Sequence, residues 1–239
     1  MSEWALKRFW TEAHAEPTDE GWTILLDGRP VRTPARAALR LPTEALARRI
    51  AAEWQAQEGE VRPDRMPLTR AANSAIDKVA PAFGAEAELR LDYGETDLVC
   101  YRAAAPEGLA LAQAEAWDPL IDWARSALNA PLVATAGVMH VPQPERARTG
   151  LRDAVVGQDV FALTALHDLV TLSGSLVIGL ATQAEVLAPG ELWARSRIDE
   201  AWQESQWGRD AEAARMEQAK RADFLNAAEL HALSRPSAR

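Results

Sequence analysis

The sequence changes character at Arg62-Pro63, and that change limits the fold more than any other feature. Before it, short aromatic and β-branched segments alternate with turn residues; after it, apolar residues recur at helical spacing almost to the end. Residues 8–15 and 22–26 read as strands, separated by Pro17-Thr18-Asp19-Glu20-Gly21, where Pro fixes φ and Gly admits positive φ. Asp27-Gly28 is a second turn signal, closing 22–26 onto 30–33. Residues 39–41 read as a further short strand. Pro42-Thr43-Glu44 then opens a helix with Thr43 as N-cap, and Leu46, Ile50 and Trp54 fall on one of its faces.

Helical patterns follow over 69–79, 85–93, 106–128, 144–156, 161–181, 189–206 and 209–233. Residues 97–101 read as extended and 132–136 as a short strand. Pro189 suits a first helical position and Gly208 a helix stop. The tail from Ser234 to Arg239 reads as frayed. A β-rich start followed by a run of helices predicts an α+β fold. The expected organisation is a small N-terminal two-layer domain of sheet and helix, residues 1–85, and a C-terminal α-helical bundle, residues 86–239.

Charge and cysteine content narrow the function. The formal net charge is −9, which argues against a nucleic-acid partner, since that needs a positive surface. Cys100 is the only cysteine, so no disulfide forms within the chain. It reads as a buried structural thiol. The opening MSEWALKRFW lacks an apolar secretion segment, and the apolar run at 169–181 is too short to span a bilayer. A chain working in the bacterial cytoplasm, without membrane insertion, is expected; for a processed eukaryotic form the organellar matrix replaces it.

Catalytic signatures are absent. There is neither a G-x-x-x-x-G-K-[ST] phosphate loop nor a G-x-G-x-x-G after a strand, so no nucleotide is expected. Leu172-Ser173-Gly174-Ser175 resembles a nucleophile elbow only superficially and lies inside a helical pattern, where small residues let a neighbour approach. His14, His140, His167 and His231 form no H-x-x-x-H pair, so no metal site is assigned from spacing; a zinc site would need ligands converging from distant segments. His167-Asp168 reads as part of a polar network inside the bundle.

One segment carries two readings. On a continuous helix over 189–206, Trp193, Arg197, Glu200, Glu204 and Trp207 fall on one face. Either this is a surface helix with an Arg–Glu pair contributing ~0.3–0.5 kcal/mol, or it is a recognition face with aromatic and arginine anchors. Ile198 and Trp202 lie on another stripe and read as core.

Four words run through the chain: LDGRPVRTP at 26–34, EWQAQ at 53–57, TDLVCYRA at 96–103 and DEAWQESQWG at 199–208. With Met66-Pro67-Leu68-Thr69-Arg70 and Trp117-Asp118-Pro119, they give a pattern that resembles the assembly chaperones for the alpha subunit of F-type ATP synthase. The resemblance implies a protein that is not an enzyme. It implies one that binds the unassembled alpha subunit, prevents its aggregation and is displaced by the beta subunit, with no cofactor. It also implies that Glu200 matters. The expected partner-binding face sets Glu200 beside Arg197, Asp199, Gln203 and Trp207. Trp54, with Glu53 and Gln57 of the same word, is implied to be structural or partner-linked. The alternative is an enzyme with a carboxylate-based active site outside the known motifs, using Asp199, Glu200 and a distant histidine.

Overall fold

The computed structural model describes residues 7–208 and 210–236. The opening residues before Lys7, Arg209 at the expected start of the last helix, and the end of the expected frayed tail lie outside them. The fold is α+β, and the described chain divides into two compact units. The first holds the chain through Phe83, then Val160–Ala165, then Glu229 onward; the second holds Gly84–Asp159 and Leu166–Ala228.

The first unit is built on an antiparallel sheet of β1 (Ala13–Thr18), β2 (Gly21–Leu26) and β3 (Arg29–Pro30), in that order. β2 alternates as the pleat requires, with Ile24 and Leu26 buried. Asp27 and Gly28, at φ 46° and 78°, make the two-residue turn that suits the twist of a hairpin. β1 begins at Ala13 and not at Arg8, whose backbone N–H instead donates to the Gly59 carbonyl and whose side chain donates to the carbonyls of Trp10, Thr11, Gln55 and Gln57. Leu41 makes a single bridge to Trp22 in place of a strand.

Helix α1 (Glu44–Gln55) packs across β1 and β2. Thr43 caps it, its hydroxyl accepting from Leu46 N–H at 3.2 Å. Leu46, Ile50 and Trp54 are buried. Helix α2 (Pro67–Ser74) follows and widens into a π turn at Ala75–Val79. The core of this unit gathers Trp10, Ile24, Leu39, Leu46, Ile50 and Leu68, and it includes Ala165 and Leu230 from far along the chain.

The second unit is helical, with a two-residue parallel pairing of β4 (Tyr101–Arg102) and β5 (Thr135–Ala136). Its elements are α3 (Phe83–Glu95), α4 (Glu107–Ala127), α5 (Glu145–Val156), the later turns of α6 (Val160–Ser173), α7 (Leu176–Gln183), α8 (Pro189–Arg195), α9 (Ile198–Trp207) and α10 (Ala211–Ser234) as far as Ala228. α4 carries the fully buried Trp117, whose indole N–H donates to the Arg195 carbonyl at 2.8 Å.

Three expectations are corrected here. The segment 97–101 is not extended: Leu98–Cys100 form a 3₁₀ turn capped by Asp97, whose carboxylate accepts from Val99 N–H. The pattern over 161–181 is two helices, because Gly174 takes φ 74° and Ser175 starts α7 with its hydroxyl accepting from Ile178 N–H. The pattern over 189–206 is also two helices. Ser196 donates its hydroxyl to the Trp193 carbonyl at 2.7 Å, competing with the backbone ladder, and Arg197 leaves helical geometry at ψ 18°. No helix among the described residues is long and apolar enough to cross a membrane.

Candidate functional site

The break at Ser196 reorganises the face expected on one long helix. Trp193 stays behind on α8, 2% exposed and against Phe224. Arg197, at the turn, lays its guanidinium over the Trp193 ring at 5.4 Å and pairs with Glu200 in the first turn of α9. Burial lowers the pKa of Arg197, while Glu217 and Asp199 raise it. The aromatic base and the acidic neighbours thus fix one cation at the head of α9.

α9 presents two stripes. Asp199 and Trp202, three residues apart, turn toward α4. Gln113 of α4 is buried; its amide donates to Asp199 at 2.6 Å and accepts from Ala103 N–H at 2.7 Å. The Trp202 indole lies against Gly108, where an added Cβ would stand 2.7 Å from the ring. Trp202 is half-buried, not core. The other stripe, Glu200, Gln203 and Trp207, faces water. Trp207 is 80% exposed, an unusual position for the largest apolar side chain. Gly208, at φ 86°, then stops the helix.

Of the expected partner-binding residues, the structure therefore places Glu200, Gln203 and Trp207 together in solvent. Arg197 is half-buried beside them, and Asp199 is turned inward. Sequence reading had no signal for Gln113, which is one of several polar residues on a long helix.

The key side chains of the other words are engaged within the fold. In EWQAQ, the Glu53 carboxylate is 5% exposed and accepts from Leu68 N–H at 2.9 Å, Thr69 N–H at 2.8 Å and the Thr69 hydroxyl at 2.7 Å. It caps α2, whose first turn offers unpaired donors and a positive dipole end. Trp54 is core, edge-on to Trp10 with centroids 5.3 Å apart. Gln57 is buried and accepts from Arg62 N–H at 2.7 Å. In LDGRPVRTP, Asp27 accepts from the backbone of Thr11 and Glu12, and the Thr33 hydroxyl donates to Asp77 at 2.7 Å.

In TDLVCYRA, Asp97 is fully buried. It accepts from the Ser175 hydroxyl at 2.6 Å and from Val177 N–H at 3.0 Å, so one carboxylate caps both the 3₁₀ turn and α7. Burial pushes its pKa up to about 6, against hydrogen bonds that favour the anion. Ser173-Gly174-Ser175 is thus a helix joint and not an elbow. Cys100 is buried, its thiol pushed up to about 12 by burial and by the Asp97 charge. Such a thiol is a poor nucleophile. His167 receives Arg90 on Nδ1, and Arg90 also holds Glu86 at 3.0 Å. Among the described residues, no group of three or more His, Cys, Asp or Glu side chains is placed to hold a metal ion.

Comparison with known proteins gives a consistent result. A family model described as ATP12 chaperone protein matches residues 7–125. A Schizosaccharomyces pombe protein named "Protein atp12, mitochondrial" is 24% identical over 217 residues, covering 85% of this chain and 74% of that one. The crystal structure of Atp12 from Paracoccus denitrificans is 52% identical and superposes with a TM-score of 0.94, over 98% of this chain and 100% of that one. A putative chaperone from Agrobacterium tumefaciens is 40% identical, with a TM-score of 0.89 over 95% of this chain and 85% of that one.

Proposed function

This chain belongs to the ATP12 chaperone family, and from that premise we propose that it is an assembly chaperone of F-type ATP synthase. It binds the unassembled alpha subunit, shields the surface that later meets its neighbours, and gives way to the beta subunit. It works in the bacterial cytoplasm, or in the organellar matrix where the form is eukaryotic, and it has no catalytic residues.

The observation that carries this reading is the outward stripe of α9. Trp207 stands 80% exposed in line with Glu200 and Gln203, and the inward stripe is held by Gln113 and Gly108. An exposed aromatic anchor beside a fixed charge is the composition of an interface hot spot. Arg197 and Asp199 position the stripe; Glu200, Gln203 and Trp207 make the contact. The sequence over the second unit holds 22 Asp and Glu against 12 Lys and Arg, a net charge of −10, while the remaining segments carry +1. A basic partner surface complements that field, which speeds encounter more than it tightens the complex. Such binding suits a holder that must be displaced.

The reading as a carboxylate enzyme lacks comparable support. It needs carboxylates held in an enclosed pocket. Glu200 is exposed and paired with Arg197, and Asp199 is engaged by Gln113.

Co-expression with the alpha and beta subunits, followed by pull-down on this protein, tests the reading. Soluble alpha subunit is expected in the pull-down, and loss of it when beta subunit is supplied. No association with alpha subunit would refute it.

A further inference from the structure

Between Arg125 and Glu145 the chain has 19 consecutive residues without Asp, Glu, Lys or Arg, in a protein that is 26% charged. The middle of this stretch is not hidden. Val138 is 94% exposed and Met139 77%, and Val133 and Val141 are also exposed. Its base is nevertheless pinned. The buried Gln143 amide accepts from Val133 N–H at 2.9 Å and donates to the Val133 carbonyl at 3.1 Å, closing the loop as a paired strand would. β5 pairs with β4, and Gly137 N–H donates to the Arg102 carbonyl at 2.9 Å. The Tyr101 hydroxyl meets His140 Nδ1 at 3.2 Å. A secured base that holds Val and Met in water does nothing for the stability of its own unit. Exposed apolar surface of this kind marks an interaction site, and methionine adapts to irregular apolar partners.

We propose that residues 137–142 form an apolar finger that enters an uncharged, aliphatic depression on the same unassembled alpha subunit that α9 engages. This rests on the function proposed above. The occupant is argued from continuity and charge. Arg102 pairs with Ala136 at the root of the finger. The next residue, Ala103, donates to Gln113, and Gln113 donates to Asp199, the neighbour of Glu200. The root of the finger and the head of α9 are therefore joined by one polar thread within the second unit, which makes a single partner contacting both the economical occupant. A second copy of this chain would bring together two units of net charge −10, which repel. A partner with basic residues around an apolar depression carries no such cost.

The test is the double variant Val138→Ser with Met139→Ser, assayed by titration against alpha subunit and by sedimentation. Both side chains lie in water, so the melting temperature should not move. Affinity for alpha subunit is expected to fall about tenfold, the loss typical of a truncated anchor. Unchanged affinity, with Glu200→Ala weakening binding, would overturn the finger and leave the α9 reading standing. Unchanged affinity with loss of a dimer in sedimentation would overturn it in favour of a second copy. Absence of any binding by the unaltered protein would remove both proposals together.

Discussion

Glu53 reaches from α1 to Thr69, taking both the backbone N–H and the hydroxyl of that residue on one carboxylate oxygen at 2.8 and 2.7 Å. The second oxygen takes Leu68 N–H. An amide cannot reproduce this, because its NH₂ would face donors. Glu53→Gln is expected to cost about 1–3 kcal/mol of stability, the range for leaving buried donors unpaired. Urea unfolding measures it; a loss below about 0.5 kcal/mol would show that water replaces the carboxylate.

Asp97 gives a pH signature of unusual sign. Its folded pKa of about 6 lies above the ordinary 3.8, so between these values the folded state holds a proton that the unfolded state has lost. Stability from this group is therefore present at low pH and declines as pH rises from about 4 to 6, by up to about 3 kcal/mol. The difference in unfolding free energy between the protein and its Asp97→Asn variant should change across that window. A difference independent of pH would show that the hydrogen bonds from Ser175 and Val177 outweigh burial.

His167 acts in the opposite direction. Burial first, and then the charge of Arg90, lower its pKa below the ordinary 6.5, while Asp168 and Glu86 raise it. Nδ1 accepts from Arg90, so the neutral ring carries its proton on Nε2. The unfolded chain takes up a proton first, and this contribution to stability is lost as pH falls below about 6.5. An NMR titration of the imidazole should place its midpoint under 6.5; a midpoint above that would mean the carboxylates dominate.

Gly108 tests how α9 is held. A methyl there would stand 2.7 Å from the Trp202 ring, too close to coexist. Gly108→Ala should displace the indole, change its fluorescence and weaken alpha-subunit binding, at about 1–3 kcal/mol of overpacking cost. Unaltered fluorescence and binding would show that α9 is positioned by Gln113 alone.

The first unit was legible because its signals are local. Ile24 and Leu26 alternate within six residues, Asp27-Gly28 names its own turn, and Thr43 sits immediately before the helix it caps. The joints of the second unit were not. Apolar residues continue across Gly174 and Ser196, so periodicity runs through both breaks. What fixes the first break is Asp97 bonding to Ser175, 78 residues later. The face was readable in composition but not in geometry: Glu200 and Trp207 do lie in solvent, while Trp193 is core and Asp199 is tethered to Gln113. Glu53 gave no sign of its role, since its partners lie 15 and 16 residues away on another helix.

The core of the first unit includes Ala165 and Leu230. During synthesis, N-terminal parts of a chain ordinarily fold first, as they leave the ribosome. Here the sheet and its helix emerge early but must wait for Leu230 before their apolar interior is closed. The sheet is written early and its core is completed only when α10 has emerged, so a chain interrupted before α10 carries a sheet with an open core. A member of an assembly-chaperone family is thus itself open to aggregation until α10 has been made.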